Sequence, residues 1–203
     1  MIDTHSHIYV PEFSEDVDDV VARARQAGIE RIFMPNINMQ SVEPMLDLCR
    51  RYPGYLYPMM GHHPEDVRDD WAQVLSEMEA FLQQPEHPFV AVGEVGLDFY
   101  WDKTYCEEQK MAFDAQIQWA MRYNLPLMIH CRDAHEDVLA LLEPYRNAGL
   151  KGVFHAHHLI VIGKHAAHHA LGRLHGLGVL VVQNGLIHIV LTIHTILLRA
   201  VCR

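Results

Sequence analysis

The chain has no acidic residue after Glu143: all 26 aspartates and glutamates lie between Asp3 and Glu143. Cysteine is scarce too. The four thiols (Cys49, Cys106, Cys131 and Cys202) form no C-x-x-C pair and no dense framework. That excludes a disulfide-stapled scaffold and suits a reducing compartment. No Gly-rich phosphate loop of either common type occurs, which weighs against a nucleotide-binding fold. The N-terminus lacks the basic stretch and apolar run of a signal peptide, so the expected location is cytoplasmic. Long apolar runs are missing as well. Residues 186–198 are apolar but hold His188 and His194 and span only 13 positions, too few to cross a bilayer. Positive charge is also short. A formal net charge of -10 excludes non-specific nucleic-acid binding through a basic surface. It does not exclude an enzyme that meets phosphates through bound cations.

What is present is enough for one sizeable core and a single domain over residues 1–203: half of the residues are hydrophobic and 21% are charged. The first 155 residues alternate two periodicities. Strands are expected over 2–9, 31–36, 55–61, 89–95, 127–130 and 152–155. Between them run helices with apolar stripes. Ser14 is the expected N-cap of the first, with Val17, Val20, Val21, Ala24 and Ala27 inward and Gly28 as the stop. Ser41 caps the second, which buries Val42, Met45, Leu46 and Cys49. Trp71, Val74, Leu75, Met78, Phe81 and Leu82 line the third and read as core packing. Thr104-x-x-Glu107 reads as a capping box for the fourth, which carries Phe113, Ile117, Ala120 and Met121. Val138, Leu141, Leu142 and Tyr145 belong to the fifth. Such βα repetition suggests a parallel sheet with right-handed crossovers.

Strand ends carry the chemistry. His5 and His7 close the first strand, His62 and His63 follow the third, and Glu94, His130 and His155 end the fourth, fifth and sixth. In an open sheet, strands one and six would lie about 25 Å apart at roughly 4.8 Å per strand, too wide for one metal centre. In a (β/α)8 barrel of the TIM type all these points converge on the C-terminal mouth. The barrel is the expected fold. A lone strand histidine is more often a hydrogen-bonded structural residue than a ligand; five donors converging change that balance. Glu94, in an apolar strand, would be a costly buried acid without a cation. Four histidines and a carboxylate suit zinc, magnesium or manganese, most comfortably as two ions about 3.5–4 Å apart bridged by Glu94. A water held by such a pair becomes a hydroxide nucleophile, and the expected reaction is hydrolysis.

Five motifs in order make a specific likeness: Asp3-Thr4-His5-Ser6-His7, Gly61-His62-His63-Pro64, Gly93-Glu94-Val95-Gly96-Leu97-Asp98-Phe99, Ile129-His130-Cys131-Arg132-Asp133-Ala134 and Gly152-Val153-Phe154-His155. Residues 1 to about 156 resemble the TatD family of metal-dependent hydrolases, within the amidohydrolase superfamily of TIM barrels. The resemblance implies a deoxyribonuclease that cleaves phosphodiester bonds with two divalent ions. It implies His5, His7 and Glu94 around one metal and Glu94, His130 and His155 around the other. His63 would contact the substrate phosphate, with His63 and Glu94 as the catalytic pair. Asp98 and Arg132 match their motifs and read as residues that brace ligands or loops, and Cys131 as a buried structural thiol.

Beyond His155 the family pattern stops. It would continue to an eighth strand ending in Thr-Asp, whereas no aspartate follows Asp137. Residues 144–203 carry six Lys/Arg and 9 of the 16 histidines instead. Such a shift resembles translation in another reading frame and leaves residues 157–203 an atypical tail. A seventh strand is expected near 179–183, and the barrel is expected to be incomplete, without strand eight. The tail histidines, among them His157, His158, His165, His168, His169 and His175, are expected to have no function. Two other readings stand beside the nuclease: an amidohydrolase acting on an ester, amide or lactone, and a non-catalytic metal-binding fragment. Many amidohydrolases bridge their metals with a modified lysine on strand four. Here Glu94 ends that strand and it holds no lysine, which favours the nuclease-like branch.

Overall fold

The computed structural model describes residues 1–155 and the backbone of two further strands, 178–183 and 186–191. Six parallel strands alternate with helices and curl into a half-barrel: β1 (Ile2–Asp3), β2 (Arg31–Pro35), β3 (Leu56–Met60), β4 (Ala91–Asp98), β5 (Leu127–Arg132) and β6 (Gly152–His155). The helices between them are α1 (Val17–Gln26), α2 (Met39–Arg51), α3 (Trp71–Leu82), α4 (Cys106–Tyr123) and α5 (His135–Leu142). Sequence order equals sheet order, as successive right-handed crossovers require.

The apolar stripes face the sheet as their spacing predicts, except at Ala27, which stands exposed at the C-cap of α1. Val17, Val20, Val21 and Ala24 of α1, Met45 of α2, Met78 of α3 and Phe113 and Ile117 of α4 join Met34, Met60, Val92, Leu127 and Ile129 in one core. The adjoining strand residues Met59, Ala91 and Met128 fall in a separate small cluster with Phe33 and Val153. Because neighbouring residues along a strand alternate sides, this second cluster lines the opposite, inner face. Strand β4 is buried along its whole length, which a parallel strand covered on both faces must be.

Several local expectations are corrected. Strand β1 ends at Asp3, since the Asp3 side chain accepts the His5 N–H at 3.1 Å and turns the chain. The segment still follows β2, because Ser6 N–H bonds to the Phe33 carbonyl at 3.1 Å. Ser14 does not cap α1: its hydroxyl donates to the Pro11 carbonyl at 2.7 Å, and Asp16 stands at the N-cap. Asn38 caps α2, and Ser41 is the returning partner of a capping box. The Thr104 box does not form. Its N–H bonds to the Asp102 carboxylate at 2.8 Å, an Asx turn that takes the chain into α4 with Tyr105 at the N-cap.

The seventh strand is found as β7 (Gly178–Gln183), antiparallel to β6. An eighth, β8 (Leu186–Leu191), is present but hairpins back on β7. The parallel order stops at β6 because β7 runs against it, and among the described residues no strand joins β8 to β1. The other tail readings fall outside the described residues. Among those residues no helix is long and apolar enough to cross a membrane.

Candidate metal centre

Glu94 lies at the focus of the half-barrel with its side chain 3% exposed, and its two oxygens face different imidazoles. Oε2 stands 3.0 Å from His5 Nε2 and 3.6 Å from His7 Nε2. Oε1 stands 2.9 Å from His130 Nδ1 and 3.7 Å from His63 Nε2. The His5 and His7 Nε2 atoms are themselves 2.9 Å apart. Donor atoms around a tetrahedral zinc sit roughly 3.3 Å from one another, given bonds near 2.0–2.1 Å. The His5–His7–Glu94 triangle brackets that value. Three groups have all their donor atoms within 4.8 Å: His5, His7 and Glu94; His63, Glu94 and His130; Glu65, Asp98 and His130. All the donors are nitrogen or oxygen, as zinc, manganese or magnesium would accept. The residues fit one or two divalent ions.

A surrounding shell orients these donors. The Tyr9 hydroxyl donates to the Pro35 carbonyl, so it must accept at 2.8 Å from His7 Nδ1–H. That tautomer leaves the His7 Nε2 lone pair facing Glu94. His63 has the opposite polarity: its Nδ1 accepts from the Glu65 N–H at 3.2 Å. The neutral ring therefore carries its proton on Nε2 and is a donor toward the site. His130 is held between two carboxylates, with Nε2 2.8 Å from Asp98 Oδ2. Gly96 lets β4 approach β5 at this level. Its φ is 140°, and a Cβ there would meet the His130 carbonyl oxygen at 2.0 Å.

The sequence profile of the TatD related DNase family matches residues 2–167. The chain belongs to the TatD family. It is 37% identical over 156 residues to a protein of Salmonella typhimurium named 3'-5' ssDNA/RNA exonuclease TatD, a match covering 76% of this chain and 58% of that one. It is 32% identical to a protein of Bacillus subtilis named uncharacterized metal-dependent hydrolase YabD, over 76% of this chain and 60% of its relative. The crystal structure of YJJV, a TatD homologue of Escherichia coli, superposes with a TM-score of 0.63 at 34% identity, covering 72% of this chain and 56% of the other. The chain thus spans less than two thirds of the length of these relatives.

In this TatD-family chain the half-barrel brings together four of the five expected metal ligands and His63. His155 is placed differently. Its ring stacks on His5, with centroids 3.8 Å apart and planes 17° apart, and it enters none of the three donor groups. His63 stands where His155 was expected, beside His130 and Glu94. Asp98 braces His130 as anticipated, and with Glu65 it also forms a donor group that the sequence reading did not name.

Asn36 went unnoticed. Fully buried at the end of β2, it donates from Nδ2 to the Gly61 carbonyl at 2.8 Å, and its backbone carbonyl accepts the Glu94 N–H at 3.3 Å. The signal was available: like the other strand ends, that of β2 carries a polar side chain. Two buried glutamines of α4 have no such signal. Gln116 Oε1 accepts the His62 N–H at 2.7 Å, and Gln109 Oε1 accepts the Asp98 N–H at 2.9 Å. Buried His62 enters none of the donor groups, and Asp66 and Asp70 only partly offset the burial that lowers its pKa.

Opposite charges knit the centre together. Burial opposes a charged Glu94, yet His5, His63 and the hydrogen bonds from His130 and His5 outweigh it and hold the carboxyl well below its usual range. Burial likewise opposes charge on Asp98, but its bonds from His130 and the Tyr100 N–H bring it to about 2. His130 is the counterpart: burial disfavours its cation, and the bonds to Asp98 and Glu94 prevail, raising it to about 9. His7 moves down, chiefly through burial. A proton on His130 thus supplies the positive charge that two adjacent acids demand.

Proposed function

We propose that this chain is a TatD-type hydrolase that cleaves phosphodiester bonds in DNA with a metal-activated water, in the cytoplasm. The observation that carries the reading is the split environment of Glu94, one oxygen toward His5 and His7 and the other toward His130 and His63. Bound there, two divalent ions would acidify a water and neutralise phosphate charge. His5, His7 and Glu94 would hold one ion, and Glu94, His130 and His155 the other. The Asp98 carboxylate keeps the proton of His130 on Nε2, leaving Nδ1 to coordinate. His63 presents Nε2–H toward the site and suits a hydrogen bond to a phosphoryl oxygen.

The test is incubation with end-labelled single-stranded DNA and Mg2+, Mn2+ or Zn2+, beside Glu94→Gln. Ion-dependent shortening that falls by about a hundredfold or more in the variant is the expected result. Absence of shortening with every ion would falsify the reading. The end of the parallel order at β6 favours a second reading, a chain that binds metal without turnover. Stoichiometric metal by elemental analysis, with no cleavage of DNA or of a simple ester, is its signature.

A further inference from the structure

Strand β4 leads directly into Tyr100 and Trp101, the only exposed aromatic residues among the described ones, at 51% and 69%. Their rings meet edge to face at 4.7 Å. The Arg132 guanidinium lies 3.8 Å from the centre of the Tyr100 ring and 5.0 Å from that of Trp101. This cluster is tied to the metal centre twice. Asp98 accepts the Tyr100 N–H on Oδ1 at 2.9 Å while its Oδ2 meets His130. Arg132 stands two residues beyond His130 on β5, on the same side of the strand.

The arrangement exceeds what bracing needs. A loop brace accounts for arginine over Tyr100, but not for an indole left two-thirds exposed beside it. Arg132 is half-buried, and among the described residues no carboxylate lies within ion-pair distance of it. In a chain of net charge -10, a sheltered cation without an acid partner suits an anion from outside. A guanidinium over an aromatic face keeps its N–H edge available for phosphate. An exposed indole offers the flat apolar surface on which any nucleobase stacks.

We propose that Tyr100, Trp101 and Arg132 form a nucleotide subsite for a single-stranded nucleic acid, the rings stacking a base and Arg132 bonding a phosphate beside the one held at the metal centre. The proposal rests on the hydrolase reading for the phosphate held at the metal centre. Its test does not require turnover. A fluorescent, phosphorothioate-linked oligothymidylate is titrated into the Mg2+-loaded protein, and anisotropy is compared with that of the same backbone lacking bases. Wild type is expected to prefer the base-bearing strand by about tenfold. Trp101→Ala removes that preference, Trp101→Phe retains most of it, and Arg132→Gln weakens both strands alike. Circular dichroism confirms that the variants stay folded.

Equal binding of the two strands by wild type, or an undiminished preference in Trp101→Ala, overturns the subsite. Hydrolysis of DNA by a wild type without preference leaves the hydrolase reading standing alone. A base preference without hydrolysis upholds the subsite and removes the hydrolase.

Discussion

At the scale of single residues, the direction of each imidazole matters as much as its position. Tyr9 sets the tautomer of His7 from behind, and its loss is expected to cost metal affinity rather than fold. Tyr9→Phe should weaken metal binding about ten- to a hundredfold, read by competition with a chromogenic chelator; an unchanged affinity would remove Tyr9 from the site. The same residues make the metal-free protein sensitive to pH. His130, raised to about 9 from 6.5, contributes stability that is complete below pH 6.5 and lost as pH rises through 9. Asp98, depressed to about 2 from 3.8, contributes stability present above pH 3.8 and lost as pH falls through 2. Urea midpoints of chelator-treated protein should therefore fall between about pH 6 and about pH 9. A flat profile over that range contradicts the pairing of His130 with Glu94 and Asp98.

Most of these residues were legible in the chain because donors recur at one place, the end of each strand. His5, His7, His63 and His130 share that signature, whereas Glu94 falls inside β4, which runs on to Asp98. Asn36 shares it too, but an amide is not a metal ligand and so drew no notice. Gln109 and Gln116 leave no trace in the sequence, since a buried glutamine on a helix shows its role only through the backbone atom it meets.

At the scale of elements, the site depends on how closely β4 can approach β5. Gly96→Ala places a methyl group where the His130 carbonyl stands, at a φ of 140°. The expected loss is about 2–4 kcal/mol in urea unfolding. Gly149 offers a control, because its φ is 83° with nothing within 4 Å of a Cβ. There the cost should be about 1 kcal/mol, strain without collision. Equal losses at both positions would show that the β4–β5 approach is unimportant. The βα alternation itself was readable because apolar stripes at helical spacing are unambiguous. Caps were not: Ser14, Ser41 and Thr104 each had a nearby competitor for their hydrogen bonds, and such competition is decided in three dimensions. The reversal at β7 was equally hidden, since an apolar run specifies a strand but not its direction.

For the whole molecule, a carboxylate and several imidazoles drawn to one point make folding and ion binding a linked process. An ion at about 100 times its Kd should add about 2.7 kcal/mol to stability. The Tm is therefore expected to climb with added Mn2+ or Zn2+ and to return with chelator. Glu94→Gln should lose most of the climb; an equal climb in that variant would place the ions elsewhere. If Glu94 is shared by two cations, as proposed, one more consequence follows. A single anion serving two cations is spent by the first, so the second arrives against net repulsion and binds more weakly. A phosphodiester brings the missing negative charge. By reciprocity, whatever that charge adds to the hold on the second ion, the second ion returns to the hold on the phosphate. On the proposed reading the centre fills in two stages, the second completed by its own substrate.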